Sequence, residues 1–368
     1  MNTLIEHEAQ LEQLSSELEN LITHSGVVGV DTEFLREKTY SAKLCLVQIA
    51  IGERQYCVDV LALENLDWLR NLMTATNVLK IFHAARQDIE VIYQTLGVIP
   101  TPIYDTQLAA AFCGGDLQQG YGGMVDERLN VQLAKSQSRT DWSRRPLSGE
   151  QIKYAAEDVI YLERLHDLTL EQLKENGRLQ WYQNELESYY ELDKYETDPQ
   201  KAWQRLSGGN LKIKKQYLLQ ALAEWREVTA QERDIPRTWV VRDDKLYDLV
   251  HHEPDNVNNI QDLGIFGRKS SAYLAPQALS VMKEVKVGED RIWRQVAALT
   301  KKEKSICSAA MGELKAVAEQ LGIAQGLLAT RKDIESLFRY RQSKKLLRGW
   351  RLHVIGQKLL DFIKACDS

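Results

Sequence analysis

Several features that define other protein classes are missing from this 368-residue sequence. It contains no run of about 18 apolar residues, so we expect no transmembrane helix. The N-terminus, MNTLIEHEAQLEQL, lacks a basic start followed by an apolar stretch, so we expect no signal peptide. The five cysteines are scattered and form no CxxC pair, which argues against a disulfide framework and a thiolate zinc site. We therefore expect reduced thiols and a cytoplasmic location.

Three common catalytic signatures are also missing. Gly115 and Gly120 have the glycine spacing of a P-loop, but the required lysine and hydroxyl residue do not follow. His7 and Glu8 lack the second histidine of a zinc protease helix, and no GxSxG nucleophile elbow occurs. The sequence therefore gives no support for a nucleoside triphosphatase, a zinc protease or a serine hydrolase.

Charge of each sign is concentrated in one half of the chain. Residues 1–200 contain 32 acidic and 17 basic side chains, a net charge of −15, whereas residues 201–368 contain 20 and 30, a net charge of +10. The total of −5 hides this difference, which indicates at least two electrostatically different bodies. A basic half favours a polyanionic partner, and an acidic half is consistent with a solvated surface, metal sites or both.

The first half predicts a mixed α/β domain. Leucine and isoleucine recur at helical spacing over residues 4–24, which predicts an amphipathic helix. Short apolar runs predict strands at 27–34, 43–51, 55–60, 78–82 and 103–105. Further helices are predicted at about 64–73, 85–96, 107–112 and 148–173. A meander of three strands, followed by alternating helices and strands, indicates a mixed sheet covered by helices.

The second half predicts only helices. An acidic segment, Pro199 and the pair Gly208 and Gly209 punctuate the chain. Helices are predicted at 211–231, 243–251, 269–285, 303–321, 331–340 and 350–365. We therefore expect an α/β domain at 1–195, a linker at 196–209, and two small helical modules at 210–288 and 289–368.

Carboxylates carry the chemical signal of the first half. Asp31 and Glu33 lie two residues apart on the first predicted strand, so both face the same side of the sheet. Two acids are unfavourable to bury without positive charge; alternatively, the strand has ended and both are solvated. Asp88 follows the strand at 78–82 and lies in the first turn of the next helix, where a dipole or capping role is the alternative.

A third group of candidate catalytic residues lies on the predicted helix at 148–173. Tyr154 and Asp158 are four residues apart and share a helix face; a surface pair is the alternative. Each of the three groups alone is only modest evidence for a catalytic site. Together, DxE on a first strand, a later HxxxxD and a YxxxD on a late helix match the tyrosine-bearing DEDD exonuclease pattern in order, spacing and structural context.

The surrounding segments resemble the bacterial ribonuclease D family. VDTEF, FHAARQDIEV, YDTQLAAAF, SRTDWSRRPL and YAAEDVIYL each resemble segments of that family. QYLLQALAEWREVTAQERDIPRTWVVRDD resembles an HRDC module, named for helicase and RNase D C-termini, and a second, more diverged module follows. The resemblance covers nearly the whole chain. It implies an α/β plus all-α fold, with an RNase H-like mixed-sheet DEDD exonuclease domain followed by two helical HRDC modules.

The resemblance also implies an activity and a metal site. It implies a metal-dependent 3′–5′ exoribonuclease that releases 5′-mononucleotides in the 3′ processing of precursor tRNA and other small structured RNA. Two ions, Mg²⁺ or Mn²⁺, would activate water and neutralise the attacked phosphate. Asp31 would bridge both ions. Glu33 and Asp158 would hold the ion that activates water, Asp88 would hold the other partly through water, and Tyr154 would orient the attacking water.

Several residues are predicted to contact RNA, each with a structural alternative. Phe34 stacks on the terminal base or belongs to the core. His83 lines the site or is a structural histidine at the strand end. Arg144 and Arg145 hold phosphate or are solvated in a loop. Asp105 ends a strand outside the motif, and we interpret it as structural.

The basic half supplies further candidates. Lysine-rich and arginine-rich segments with interleaved aromatics suit a surface that follows an RNA backbone; a solvated helix face is the alternative. The candidates are Lys212, Lys214, Lys215, Arg339, Arg341, Lys344 and Lys345. Trp350, which lies in the second basic segment, is expected in a core.

Two other functions stay open at this point. A DNA 3′–5′ exonuclease would share the carboxylates, and discrimination depends on contacts to the 2′-OH. A non-catalytic scaffold on a dead nuclease fold is disfavoured, since all four acids and Tyr154 are present. We expect RNA as the partner, no membrane partner, no nucleotide cofactor and a monomer.

Overall fold

The computed structural model describes residues 2–133, 140–294 and 296–367. The chain divides into two compact units: Met1–Leu35, Leu44–Glu191 and Leu299–Ser368 form the first, and Arg36–Lys43 and Leu192–Ala298 form the second. The first unit thus joins the predicted α/β region to the last helical segment. The domain boundaries drawn from the sequence stay a prediction, because a compact unit need not be one continuous stretch of chain.

Within the described residues, six strands form one mixed sheet in the order β1-β4-β3-β2-β5-β6. β1 is parallel to β4, β3 is antiparallel to β4, and β5 is parallel to both β2 and β6. The strands are β1 Asn2–Ile5, β2 Gly26–Leu35, β3 Lys43–Ile51, β4 Arg54–Val58, β5 Val78–Phe82 and β6 Ile103–Asp105. The mixed sheet predicted from the sequence is therefore confirmed.

Eight helices of the first unit follow or cover this sheet in the described part of the chain. They are α1 Glu8–His24, α2 Asp67–Thr74, α3 Arg86–Leu96, α4 Thr106–Phe112, α5 Tyr121–Leu129, α6 Gly149–Ile160, α7 Leu162–Glu175 and α8 Leu179–Leu186. β3 is buried over nearly its whole length, as expected for a strand covered on both faces. Ser148 begins α6 with a capping box that includes Gln151.

The largest differences between the predicted elements and the structure concern two helices. The helix expected at 4–24 begins at Glu8, because Leu4 and Ile5 instead form the end of β1 beside β4. The helix expected at 148–173 is two helices, which are interrupted at Tyr161. In both cases a partner distant in sequence overrides a helical apolar pattern, and the pattern itself contains no sign of that partner.

The second unit is helical. It contains a 3-10 helix at Pro199–Arg205, followed by α9 Ile213–Glu232, α10 Arg237–Val240, α11 Asp243–His252, α12 Val257–Asp262 and α13 Arg268–Glu284. The segment predicted as a linker is ordered here: Ala202 and Leu206 are buried in the same core as Leu222 and Leu249. The many charged residues of this segment gave no indication that Ala202 and Leu206 would pack into a core.

The last helices belong to the first unit. They are α14 Lys301–Leu321, α15 Gln325–Leu328, α16 Arg331–Tyr340, α17 Gly349–Arg351, a π-helical turn at Leu352–Gly356 and α18 Gln357–Asp367. Trp350 is buried, as predicted, and stacks on Trp181 of α8 with ring centroids 4.6 Å apart. Arg351 donates to the carboxylate of Glu185, also on α8. Among the described residues, no helix combines the length and apolarity needed to span a membrane.

Candidate active site

Asp31 and Glu33 lie on a strand that continues beyond them. β2 runs to Leu35, and both acids are half-buried on one face of the sheet. The alternative in which the strand has ended and both acids are fully solvated therefore does not describe this structure. Alternation along β2 directs Thr32 to the other side, where its hydroxyl donates to Asp88 at 2.6 Å. Thr32 was missed by the sequence analysis, because nothing in a DTE triplet indicates the partner of its middle residue.

Asp88 lies in the first turn of α3 and is buried. The chain enters α3 through Ala84, whose φ of 60° is unusual for a residue with a side chain. Asp105 holds this turn, since its carboxylate accepts hydrogen bonds from the amides of Ala84 and Ala85, both at 3.1 Å. It also accepts from the hydroxyl of Tyr189 at 2.8 Å. The structural role expected for Asp105 thus includes support of the helix that carries Asp88.

Tyr154 and Asp158 complete the cluster from α6. Both residues line the same cavity as Asp31 and Glu33. Carboxylate oxygens of Asp31, Glu33 and Asp158 lie within 4.8 Å of one another. The structure thus brings together two acids from a strand and one from a helix more than a hundred residues later.

The carboxylates are electrostatically unfavourable in the absence of a cation. Burial raises the pKa of Asp31 well above its usual range, and the three neighbouring carboxylates raise it further. Burial, helped by the charges of Asp158 and Asp88, raises the pKa of Glu33 to about 9. The pKa values of Asp88 and Asp158 rise to about 7, mainly through burial.

This donor set fits a divalent cation. Within the described residues, no lysine or arginine forms an ion pair with any of the four acids, and no basic group contributes to their pKa shifts. A hard cation binds oxygen ligands and reverses the mutual repulsion of clustered carboxylates. The geometry therefore suits metal ions with carboxylate ligands, and the described residues offer no thiolate or imidazole set there for a softer ion.

The cluster lines a cavity of about 530 Å³. Phe34 and His83, both predicted to contact substrate, lie in its wall. The imidazole of His83 is held at both nitrogens, 2.9 Å from the hydroxyl of Thr106 and 2.9 Å from the carbonyl of Gln119. Six lining residues were missed by the sequence analysis, because no motif specifies a residue type at their positions: Thr32, Ala84, Gln87, Tyr121, Thr140 and Trp142.

The two arginines predicted to hold phosphate have different surroundings. Arg144 is exposed. Arg145 forms an ion pair with the buried carboxylate of Asp59 and donates to the carbonyls of Trp142 and Cys45 at 2.7 and 3.0 Å. Its donors are therefore used within the protein, which counts against the phosphate prediction for this residue. The first two residues of the SRTDWSRRPL segment lie outside the described residues.

The predicted basic RNA contacts also divide into two groups. Lys212 and Lys344 are exposed. The other lysines have internal partners: Lys214 pairs with Glu253, Lys215 donates to the carbonyl of His251 at 3.0 Å, and Lys345 donates to the carbonyl of Gly326 at 2.7 Å. Arg341 donates to the carbonyl of Phe338, and Arg339 is half-buried on α16. Part of the basic side chains in these segments is therefore engaged in contacts within the protein.

Comparisons with known proteins agree with this site. Residues 2–174 match the family described as 3′–5′ exonuclease, and residues 215–281 match the HRDC domain. Ribonuclease D of Sphingobium indicum is 35% identical over 358 residues, which cover 93% of this chain and 90% of that protein. Ribonuclease D of Jannaschia sp. is 36% identical over 345 residues, which cover 90% of this chain and 89% of that protein. The chain belongs to the ribonuclease D family.

The fold extends this relationship over the whole molecule. The crystal structure of Escherichia coli RNase D, described as an exoribonuclease involved in structured RNA processing, matches with a TM-score of 0.88 at 28% identity. The match covers 99% of both chains. The protein is accordingly a hydrolytic 3′–5′ exoribonuclease of the ribonuclease D family, and the predicted fold class is confirmed. One HRDC domain is matched, so the assignment of residues 289–368 as a second one stays a prediction.

Proposed function

We propose that this ribonuclease D family member trims the 3′ ends of precursor tRNA and other small structured RNA, releasing 5′-mononucleotides. Two divalent ions, Mg²⁺ or Mn²⁺, serve as cofactors, and the protein works as a monomer in the cytoplasm. The observation that carries the catalytic part is the group of four carboxylates, one buried and three half-buried, without a basic partner in the described chain. The cysteines, none of which is in a disulfide, support the location.

The four acids divide between the two ions. Asp31 would help to hold both ions, Glu33 and Asp158 would help to hold the ion that activates water, and Asp88 would help to hold the other. Bound ions of this kind lower the pKa of water and neutralise charge on the phosphate. Thr32 fixes one oxygen of Asp88 through its hydrogen bond of 2.6 Å. The other oxygen is then the better placed to face the cavity.

Tyr154 orients the attacking water and does not act as a strong base. Burial and the neighbouring charge of Asp158 raise the pKa of its phenol above the ordinary value of about 10. The hydroxyl therefore keeps its proton at neutral pH. The phenol lies in the cavity wall with the acids, where it can direct a lone pair of water at the phosphate.

The cavity wall and exposed basic residues hold the RNA. Phe34 stacks on the terminal base, and His83 shapes the wall beside it. Among the basic candidates, Arg144, Lys212 and Lys344 are exposed and can contact phosphate. A volume of about 530 Å³ falls within the range of about 300–1,000 Å³ that is typical of ligand pockets.

A digest of end-labelled RNA tests the proposal. A precursor tRNA with a 3′ extension is labelled at its 5′ or its 3′ end and incubated with Mg²⁺, with Mn²⁺ or with EDTA, beside a DNA of matched sequence. We expect immediate release of labelled mononucleotide from the 3′ label, stepwise shortening of the 5′-labelled strand, and no reaction in EDTA. Equal rates on DNA would contradict the RNA assignment, and activity in EDTA would contradict the metal assignment.

A further inference from the structure

The interruption between α6 and α7 has a specific cause. In an unbroken helix the amide of Tyr161 would donate to the carbonyl of Glu157, four residues earlier. Here the hydroxyl of Tyr121 stands between the two groups: it accepts from the Tyr161 amide at 3.0 Å and donates to the Glu157 carbonyl at 3.1 Å. The Tyr161 amide also contacts the carbonyl of Val159. Insertion of a side chain into the helical hydrogen-bond ladder is a recognised cause of a break.

The hydroxyl of Tyr121 is suited to this bridging position. Burial raises the pKa of its phenol above the usual value, so the group stays protonated and can donate and accept at once. The ring of Tyr121 lines the active-site cavity and meets the ring of His83 edge to face, with centroids 5.6 Å apart. Tyr121 is the first residue of α5, so its position is set from outside the interrupted helices.

The interrupted segment determines where the last carboxylate of the cluster lies. Asp158 directly follows Glu157, whose carbonyl Tyr121 holds. On the other side, the segment packs closely against β2: a Cβ added at Gly29 would lie 3.2 Å from the carbonyl oxygen of Val159 and 3.3 Å from the Cβ of Leu162. The strand that carries Asp31 thus supports the break from one side, and Tyr121 holds it from the other.

We propose that Tyr121 is a positioning residue that holds Asp158 in metal-binding geometry by keeping the helix open at Tyr161. The inference rests on the proposed role of Asp158 as a metal ligand. Without the hydroxyl, the amide of Tyr161 and the carbonyl of Glu157 can bond directly and close the ladder. The last turn of α6 then rewinds and moves the Asp158 carboxylate relative to Asp31 and Glu33, which stay fixed on β2.

Calorimetric titration of the full-length, metal-free protein with Mn²⁺ tests this inference, with no RNA present. The test variant is Tyr121→Phe, which removes only the hydroxyl. The matched control is Tyr104→Phe, which removes a buried hydroxyl that bonds to Thr169 at 3.0 Å, outside the cavity. Loss of residues that orient metal ligands typically weakens affinity by about 10- to 100-fold. We expect Mn²⁺ binding about 10-fold weaker in Tyr121→Phe and unchanged in Tyr104→Phe.

A second readout separates positioning from a loss of stability. Exonuclease rate is measured as a function of Mn²⁺ concentration, at a temperature well below the melting midpoint of every variant. Tyr121→Phe should shift the half-saturating Mn²⁺ concentration upward and recover much of the rate when the metal saturates. If its metal affinity and half-saturation equal those of Tyr104→Phe, Tyr121 has no positioning role.

Asp158→Asn distinguishes this failure from a failure of the proposed function. If Asp158→Asn binds Mn²⁺ normally and turns over RNA at the normal rate, the metal-ligand assignment itself is wrong. If Asp158→Asn is inactive and Tyr121→Phe behaves as the wild type, the assignment holds and the positioning inference is overturned.

Discussion

Two groups of shielded carboxylates, one in each compact unit, lie in opposite electrostatic environments. In the first unit, Asp31 and Asp88 lie beside other acids, and no arginine or lysine of the described chain pairs with them. In the second unit, Glu227 of α9 is almost fully buried, yet Arg237 donates to it at 3.0 Å, Tyr40 donates to it, and Arg205 lies 4.0 Å away. The number of buried acids therefore does not identify a functional site.

The difference lies in what neutralises the charge. The charge of a buried acid with its own cation is neutralised within the fold, so we interpret Glu227 as a structural group. A buried cluster of acids without one is unfavourable and needs an external cation or protons. This distinction favours the first unit as the place of the chemistry.

The largest expected effect comes from changing a carboxylate of the unpaired group. Asp88→Asn should reduce the rate of RNA hydrolysis by about three orders of magnitude or more, because ion-assisted stabilisation of the transition state amounts to several kcal/mol and each 1.36 kcal/mol is about tenfold. The metal-free melting temperature should not fall, since the change removes a buried charge. The measurement is single-turnover hydrolysis with circular dichroism on the same samples.

Asp126→Asn is the matched control, because Asp126 is an exposed aspartate of α5 outside the cavity. It should hydrolyse RNA at the wild-type rate. A rate for Asp88→Asn within tenfold of that control would remove Asp88 from the metal site.

The next largest effect is expected in the second unit, where changing a buried acid should lower stability and leave activity unchanged. Glu227→Gln removes the charge that Arg237 and Tyr40 contact, and hydrogen bonds to charged groups contribute about 1.5–3 kcal/mol. We expect a loss of about 2 kcal/mol in the free energy of unfolding, measured by urea denaturation, with turnover per folded molecule unchanged. Glu224→Gln, one helical turn earlier on α9 and without an ion pair in the described residues, should lose much less. Equal losses in the two variants would show that the ion pairs of Glu227 contribute little.

The unpaired cluster should also give the metal-free protein a characteristic pH dependence. Glu33 has a pKa of about 9, and Asp88 and Asp158 have pKa values of about 7. In the unfolded chain, carboxyl groups have a pKa of about 4. The folded state therefore holds protons that the unfolded state has lost, and stability falls as pH rises. In EDTA, the melting temperature should decrease from about pH 5 to about pH 9.

Saturating Mg²⁺ should flatten that pH profile, because a cation replaces the protons. Thermal melts of wild type and Asp31→Asn, with EDTA or Mg²⁺, check this. Asp31→Asn should have the shallower slope in EDTA, since one source of repulsion is gone. A flat wild-type profile in EDTA would mean that the cluster is not under electrostatic stress.

The sequence predicted the parts of the fold that depend on local pattern. The strands at 43–51, 78–82 and 103–105 match the structure residue for residue, because each is a short apolar run between turn signals. The four acids and Tyr154 could be named because DxE, HxxxxD and YxxxD have fixed spacing, and the cluster they form supports that prediction. What could not be predicted depends on distant partners: Tyr121 interrupts a helix forty residues later, and Thr32 bonds to Asp88 across the site.

The same limit explains the basic segments. The sequence does not show whether the charged group of a lysine or arginine is solvated or hydrogen bonded within the fold. Arg351 illustrates the second case: it is buried, donates to the carbonyl of Leu327 at 2.7 Å and pairs with Glu185. Net charge therefore overstates the charge available to RNA.

The smallest expected effect concerns the adjacent pair Lys344 and Lys345. Lys344 is exposed, whereas Lys345 donates to the carbonyl of Gly326 at 2.7 Å and its pKa is lowered by burial. If exposed lysines contact phosphate, Lys344→Ala should reduce the slope of log affinity against log salt concentration by about one. Lys345→Ala should leave the slope unchanged and lower stability by about 1 kcal/mol. Fluorescence anisotropy with labelled RNA at several salt concentrations measures both slopes, and equal slopes for the two variants would mean that internal hydrogen bonding does not decide which cations meet RNA.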